Sequence, residues 1–264
     1  MTPHMPTYEA FAIRYASVER RAVDTFLHWG KPDEPIRLDF FFWVVRGDDG
    51  RCIVVDTGFS PYSSSRRNRP YGIRPADALA MLQIDPEAVS DVILTHLHYD
   101  HAGNTDLFPN ATFHLQESEL AFVVGPHMRH AAFREHYEVE DLASVIRLLH
   151  RGRVRLHQGD SIVAPGIELF HMPGHTLGLQ SVGVETPRGR VLIAGDTLHY
   201  YENLRLQKPF PVMIDVAAEL DAYQRLLRLA ASEDHIVAGH DPLVLDRFRP
   251  VPMTQGSIVG LHLP

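Results

Sequence analysis

Thr95-His96-Leu97-His98-Tyr99-Asp100-His101-Ala102-Gly103-Asn104 follows directly on an apolar run at 92–94. Four side chains able to bind a metal, His96, His98, Asp100 and His101, fall within six residues where a short buried strand should end. In extended backbone, side chains at i and i+2 point the same way, so His96 and His98 can grip one ion together. Asp100 and His101 come after the chain turns and can face a second ion. A histidine-rich loop without metal is the bland alternative. The tightness of the cluster and its place at a strand end weigh against it.

The same placement recurs three times further on. His175 follows the run 167–172 through Pro173-Gly174, Asp196 follows 191–194 through Gly195, and His240 follows 236–238 through Gly239. Each is a metal-capable residue just past a strand end, with glycine beside it to let the backbone turn closely. With the first cluster they make five histidines and two aspartates, enough for two ions with Asp196 shared between them. Asp56-Thr57-Gly58 ends another strand and, taken alone, is an ordinary turn.

Between these points the chain alternates strands and helices. Residues 11–15 read as a strand, and 39–46 with 52–55 as a hairpin around Gly47-Asp48-Asp49-Gly50. Both hairpin runs are apolar on both faces, as in a covered sheet. Residues 60–75, polar and basic, read as a solvated loop. Helix formers fill 75–82, and Pro75 suits a first helical turn. A strand follows at 112–115, then helix over 117–150 with one break near Gly125-Pro126. Short strands return at 154–156, 167–172, 180–184 and 191–194, followed by a helix over 215–231 and a strand at 236–238. No linker divides the pattern, so the expectation is one α/β domain over 1–264.

Composition narrows the partners. Of 264 residues 45% are hydrophobic and 22% charged, which excludes a disordered chain, a collagen and a disulfide scaffold; Cys52 is the single cysteine. A net charge of −8 disfavours nucleic acid, which needs clustered Lys and Arg. No apolar run reaches the ~20 residues that span a bilayer, and the first residues lack the pattern of a signal peptide. The expectation is a cytoplasmic protein, monomer or homodimer, with a small-molecule substrate and neither a membrane nor a nucleic-acid partner.

Taken in order, Asp56-Thr57-Gly58, His96-Leu97-His98-Tyr99-Asp100-His101, His175, Asp196 and His240 resemble the five motifs of the metallo-β-lactamase superfamily, over roughly 56–241. The resemblance implies an αββα four-layer sandwich with a two-metal site at one edge. It implies a first ion on His96, His98 and His175, a second on Asp100, His101 and His240, and Asp196 bridging them, with Asp56 supporting the loop from behind. The divalent ions would be zinc, with iron, cobalt or manganese as alternatives.

Within the superfamily, a bridging aspartate argues against true β-lactamases. The short tail after His240 argues against glyoxalase II, and the acidic balance against ribonuclease Z-like enzymes. The strings His98-Tyr99-Asp100-His101-Ala102-Gly103-Asn104 and Gly239-His240-Asp241 are similar to those of N-acyl homoserine lactone lactonases, agents of quorum quenching. That resemblance implies lactone opening by a hydroxide held between the ions. The alternative is a cyclic amide, thioester or phosphodiester on the same site. Those lactonases place a tyrosine three residues after the bridging aspartate, whereas this chain has His199, followed by Tyr200 and Tyr201. Expected catalytic groups are therefore Asp100 together with His199, Tyr200 or Tyr201. Phe59 and Tyr62, on a loop that should open at the metal edge, are expected to bind substrate. Phe122, Met128, Phe133 and Tyr137 read as a helical pair packed on the core ahead of a pocket roof. His4, His28, His150, His157 and His262 read as bystanders, and Cys52 as a core residue.

Overall fold

Residues 40–45 are apolar on both faces because their strand lies between two cores. The structure, a computed structural model, describes residues 6–263; His4 lies outside them. A long antiparallel pair, β1 (Tyr8–Arg21) and β2 (Pro35–Gly47), opens the fold. Strand β3 (Cys52–Val55) returns antiparallel through the Gly47–Gly50 turn, where the Gly47 amide donates to the Arg51 carbonyl at 2.8 Å. Helices α1 (Pro61–Arg66) and α2 (Pro75–Met81) lead to β4 (Asp91–Ile93) and β5 (Thr112–Gln116). Helices α3 (Glu117–Val123), α4 (Ala131–Arg134) and α5 (Val139–His150) lead on to β6 (Val154–His157). Strands β3 to β6 run parallel.

The second sheet holds β7 (Ser161–Ala164), β8 (Ile167–His171), β9 (Gln180–Thr186) and β10 (Gly189–Gly195). After α6 (Tyr201–Leu206) and α7 (Val216–Leu229), β11 (Ile236–Ala238) completes it parallel to β10. Helix α8 (Leu243–Arg247), β12 (Arg249–Pro250) and β13 (Ile258–Gly260) carry the chain back to the first sheet beside β1. The sheet orders are β12-β13-β1-β2-β3-β4-β5-β6 and β11-β10-β9-β8-β7.

Alternation along β2 divides the cores. Phe40, Phe42 and Val44 face α2, α3 and α5 through Ala78, Leu79, Phe122, Val145 and Leu148. Phe41, Trp43 and Val45 face Leu169, Val182, Val184 and Val191 of the second sheet, whose cluster extends to Ala222 and Leu226 of α7. Helix, sheet, sheet and helix thus stack as four layers. Burial of each such side chain contributes roughly 1.5–3 kcal/mol, which makes the doubly covered sheets a stiff platform.

The structure corrects two expectations here. Residues 61–66 form α1 instead of loop, because Ser60 caps it by accepting from the Ser63 amide at 3.2 Å and Pro61 stands at the first helical position. The stretch 117–150 breaks three times, since Gly125, His130 and Glu138 are all extended, with ψ of 174°, 127° and 126°. Strand β7 and helices α6 and α8 are further elements that the apolar pattern did not mark.

Candidate metal centre

The parallel strands set the site. His96 lies just beyond the C-terminal end of β4, His175 beyond β8, Asp196 beyond β10 and His240 beyond β11, all at one edge of the sandwich. Open sheets present their ligand crevice at such carboxyl ends. Close approach there needs glycine. Gly195 takes φ of 54°, and a Cβ on Gly239 would come 2.5 Å from the Gly195 carbonyl oxygen. Asp196 and His240 meet only because both neighbours lack side chains.

Around Asp196 the donors divide. Its Oδ2 lies 3.2 Å from His175 Nε2 and 3.8 Å from His96 Nε2. Its Oδ1 lies 3.2 Å from His101 Nε2 and 3.0 Å from His240 Nε2. His98 Nδ1 stands 3.0 Å from His175 Nε2, and Asp100 Oδ1 3.8 Å from His101 Nε2. Two groups of donor atoms result, His96, His98, His175 and Asp196 in one, Asp100, His101 and His240 in the other, each within 4.8 Å of its own members. His199 joins Asp196 and His240 in a third such group, its Nε2 3.1 Å from Asp196 Oδ2. The fold therefore brings together all seven residues named from the sequence, and adds a sixth histidine.

The donors fit divalent ions. His96 Nε2 and His101 Nε2 are buried with no hydrogen-bond partner while turned toward one carboxylate. Burial, with His101 beside it, keeps His96 well below the usual histidine range; burial and His96 do the same for His98. Neutral imidazole is the form that binds metal. Burial would also depress His101 and His240, but Asp196 outweighs it and raises both. Burial pushes Asp196 up, yet His101, His199 and His240 hold it well below the carboxylate range. Histidine and aspartate without thiolate suit zinc, iron, cobalt or manganese alike.

A layer of hydrogen bonds fixes this set from behind. Buried Asp56 holds His101 Nδ1 at 2.7 Å and accepts from the Thr95 amide and hydroxyl at 2.7 and 2.8 Å. Its φ of 60° turns the carboxylate under the loop. His240 Nδ1 lies 2.8 Å from the Asp39 carbonyl. Glu219 on α7 accepts from the His175 amide at 2.8 Å, and Glu119 on α3 from the Leu97 and Gly178 amides at 3.1 Å each. Burial raises both glutamates. Sequence reading missed these two acids; an isolated acid on an apolar helix face was their only trace.

The catalytic and substrate expectations divide in the same way. Asp100 and His199 line a cavity of about 190 Å³ above the donors. The Tyr200 hydroxyl instead bonds the Arg37 carbonyl at 3.0 Å and that of Tyr201 the Ile236 carbonyl at 3.1 Å, because α6 begins there and turns both rings away. Phe59 is fully buried among Tyr15, Phe40, Tyr71 and Tyr99, and Tyr62 is 63% exposed on α1; neither lines the cavity. The wall is made by Arg20, Arg67, Arg69, Tyr99, His136 and Phe210 among others. A neighbouring cavity of about 210 Å³ shares His98, His136, His175 and Val212 with the first and is otherwise largely apolar, with Phe122, Phe133 and Tyr137. The 117–150 stretch thus does reach the site through those three residues, while His127 and His130 stay exposed.

The chain belongs to the metallo-beta-lactamase superfamily, whose family model matches residues 41–240. Among curated proteins it is similar to N-acyl homoserine lactonases of Bacillus. It is 31% identical to that of Bacillus thuringiensis over 226 residues, covering 80% of this chain and 84% of the relative. It is 28% identical to that of Bacillus cereus over 240 residues, covering 85% and 88%. The fold is shared with a solved variant of Bacillus thuringiensis AiiA that carries N-decanoyl-L-homoserine at its active site, with a TM-score of 0.77 at 23% identity over 94% of this chain and 99% of that one. Among the described residues no helix is long and apolar enough to cross a membrane.

Proposed function

We propose that this protein is a dinuclear metal-dependent hydrolase that opens the ring of a small lactone of the N-acyl homoserine lactone class. The observation that carries the reading is the division of Asp196, one carboxylate oxygen toward each group of histidines. Support comes also from the curated lactonases that match most of the chain. His96, His98 and His175 would hold one ion and Asp100, His101 and His240 the other, with Asp196 between them. When bound, two divalent ions there supply an activated water at neutral pH and polarise an ester carbonyl.

The chain's own groups do the rest. Asp100 lines the cavity beside His101, and would carry a proton to the alkoxide oxygen that leaves as the ring opens. His199 is fixed by stacking on Phe210, with ring centroids 4.0 Å apart and planes 5° from parallel. Burial depresses it to about 3 despite Asp196, so it stays neutral and can donate an N–H to the carbonyl oxygen of the substrate. It would take the role a tyrosine holds in the lactonases the chain resembles. The apolar second cavity would take the acyl arm and exclude water.

Metal content of the purified protein, with lactone opening followed by proton release before and after chelation, tests the reading. About two ions per chain and chelator-sensitive ring opening are expected. Turnover that survives with no metal left bound would overturn it. Two ions without lactone turnover would move the substrate to a cyclic amide, thioester or phosphodiester.

A further inference from the structure

The wall of the first cavity carries three guanidinium groups, Arg20, Arg67 and Arg69. Arg67 is paired with Glu138 at 2.8 Å. Arg20 and Arg69 pair with no carboxylate among the described residues. Arg20 makes one long bond, 3.3 Å, to the Asp24 carbonyl, and Arg69 Nε is buried without any partner. Aromatic rings hold both in place. Arg20 lies 5.2 Å from the Phe210 centroid and Arg69 5.2 Å from that of Phe40. Phe210 in turn stacks on His199, and Phe40 meets His240 edge-on at 5.5 Å. Each free guanidinium therefore stands one ring away from a histidine of the metal centre.

A guanidinium stacked on a ring keeps its in-plane N–H groups free for an anion, which it can bind in two-pronged fashion. A buried donor without a partner costs stability unless a ligand supplies one. A neutral N-acyl homoserine lactone has no charge to offer these groups, and the separate apolar cavity already suits its acyl chain.

We infer that Arg20 and Arg69 form an anion subsite, and that the substrate is a lactone carrying a carboxylate outside its ring. This rests on the hydrolytic reading above. The carboxylate docks on the wall and the ring carbonyl lies over the donors, so charge selects the substrate and fixes its orientation.

The test uses the metal-loaded protein with N-succinyl-homoserine lactone and its methyl ester, which differ by one charge. The acid should be opened with kcat/KM at least about tenfold above the ester, the effect of one charge-assisted hydrogen bond. Replacing Arg20→Gln and Arg69→Gln together should bring the ratio near one while two ions stay bound, and Arg69→Lys should keep part of the preference. An ester opened as fast as the acid, or a preference that survives the double replacement, would overturn the subsite. If neither lactone is opened, the lactone reading of the site fails separately from the subsite, and calorimetric binding of the same pair judges the subsite. Acid bound at least about tenfold tighter than ester, with the difference lost in the double variant, would support it; equal binding would overturn it.

Discussion

The floor and the wall of the cavity are built differently. The floor is a set of donors at the ends of strands in two packed sheets, with His101, His240 and His175 backed by buried hydrogen bonds to Asp56, the Asp39 carbonyl and Glu219 in turn. The wall comes from short pieces: the end of β1, the turn after α1, the four-residue α4 and the segment around Phe210 to Ile214. Its parts are held by side chains, as where Arg67 lies over Tyr99 at 3.9 Å and reaches across to Glu138. A stiff floor keeps the reacting geometry fixed, and a wall of short segments can change its substrate without disturbing that geometry.

If the comparison holds, the largest losses come from the floor. Asp196→Asn removes one charge from the carboxylate proposed to lie between the two ions. It should lower bound metal below two per chain, measured by elemental analysis, and cut turnover by more than the roughly 10–100-fold that an outer partner costs. Full metal content with near-normal rate would break the distinction at its strongest point. Asp56→Asn should fall within that range of about 10–100-fold in metal affinity or activity, because His101 loses its charged anchor yet keeps its place in the loop.

A smaller effect is expected from the wall. Phe133→Ala opens the apolar cavity on the α4 side. It should raise KM about tenfold for a long-chain lactone and far less for a short one, with two ions still bound. A loss of metal in this variant would mean that floor and wall are not separable.

The same difference explains what could be read in the sequence. Metal donors need two or three residues of local spacing and a glycine at a strand end, and both are visible in His96 to His101, Gly195-Asp196 and Gly239-His240. Wall residues meet only through the fold. Arg20 and Phe210 are 190 positions apart and meet across the first cavity. Arg67 and Arg69 sat in a run whose charge pointed to solvent, and the cap at Ser60 that turns them inward is a local signal outweighed there by composition. Tyr200 and Tyr201 were placed by analogy of spacing, which the start of α6 overrides. Phe59, adjacent to the metal-edge turn, points into the core because its ring completes the cluster around Tyr15.

The smallest expected effect concerns the wall's own stability. Asp141 on α5 is buried, its Oδ2 has no hydrogen-bond partner, and burial with Glu138 nearby pushes it up to about 7. Unfolded, the same carboxyl titrates near the ordinary value of about 3.9. Between those values the native chain holds a proton that the unfolded chain has lost, so stability is fully present below about pH 4 and falls as pH rises through about 7. Asp141→Asn is neutral throughout and removes that loss. It should raise stability at pH 8 by about 1–2 kcal/mol, after allowance for partial solvent screening, and change it little at pH 4. Denaturant midpoints at the two pH values measure this directly. Because the charge sits beside the Arg67–Glu138 clamp and away from the donors, metal content should be the same in both proteins at either pH. A gain that is equal at pH 4 and pH 8 would show that the carboxyl is not the source, and that the end of α5 is held by packing alone.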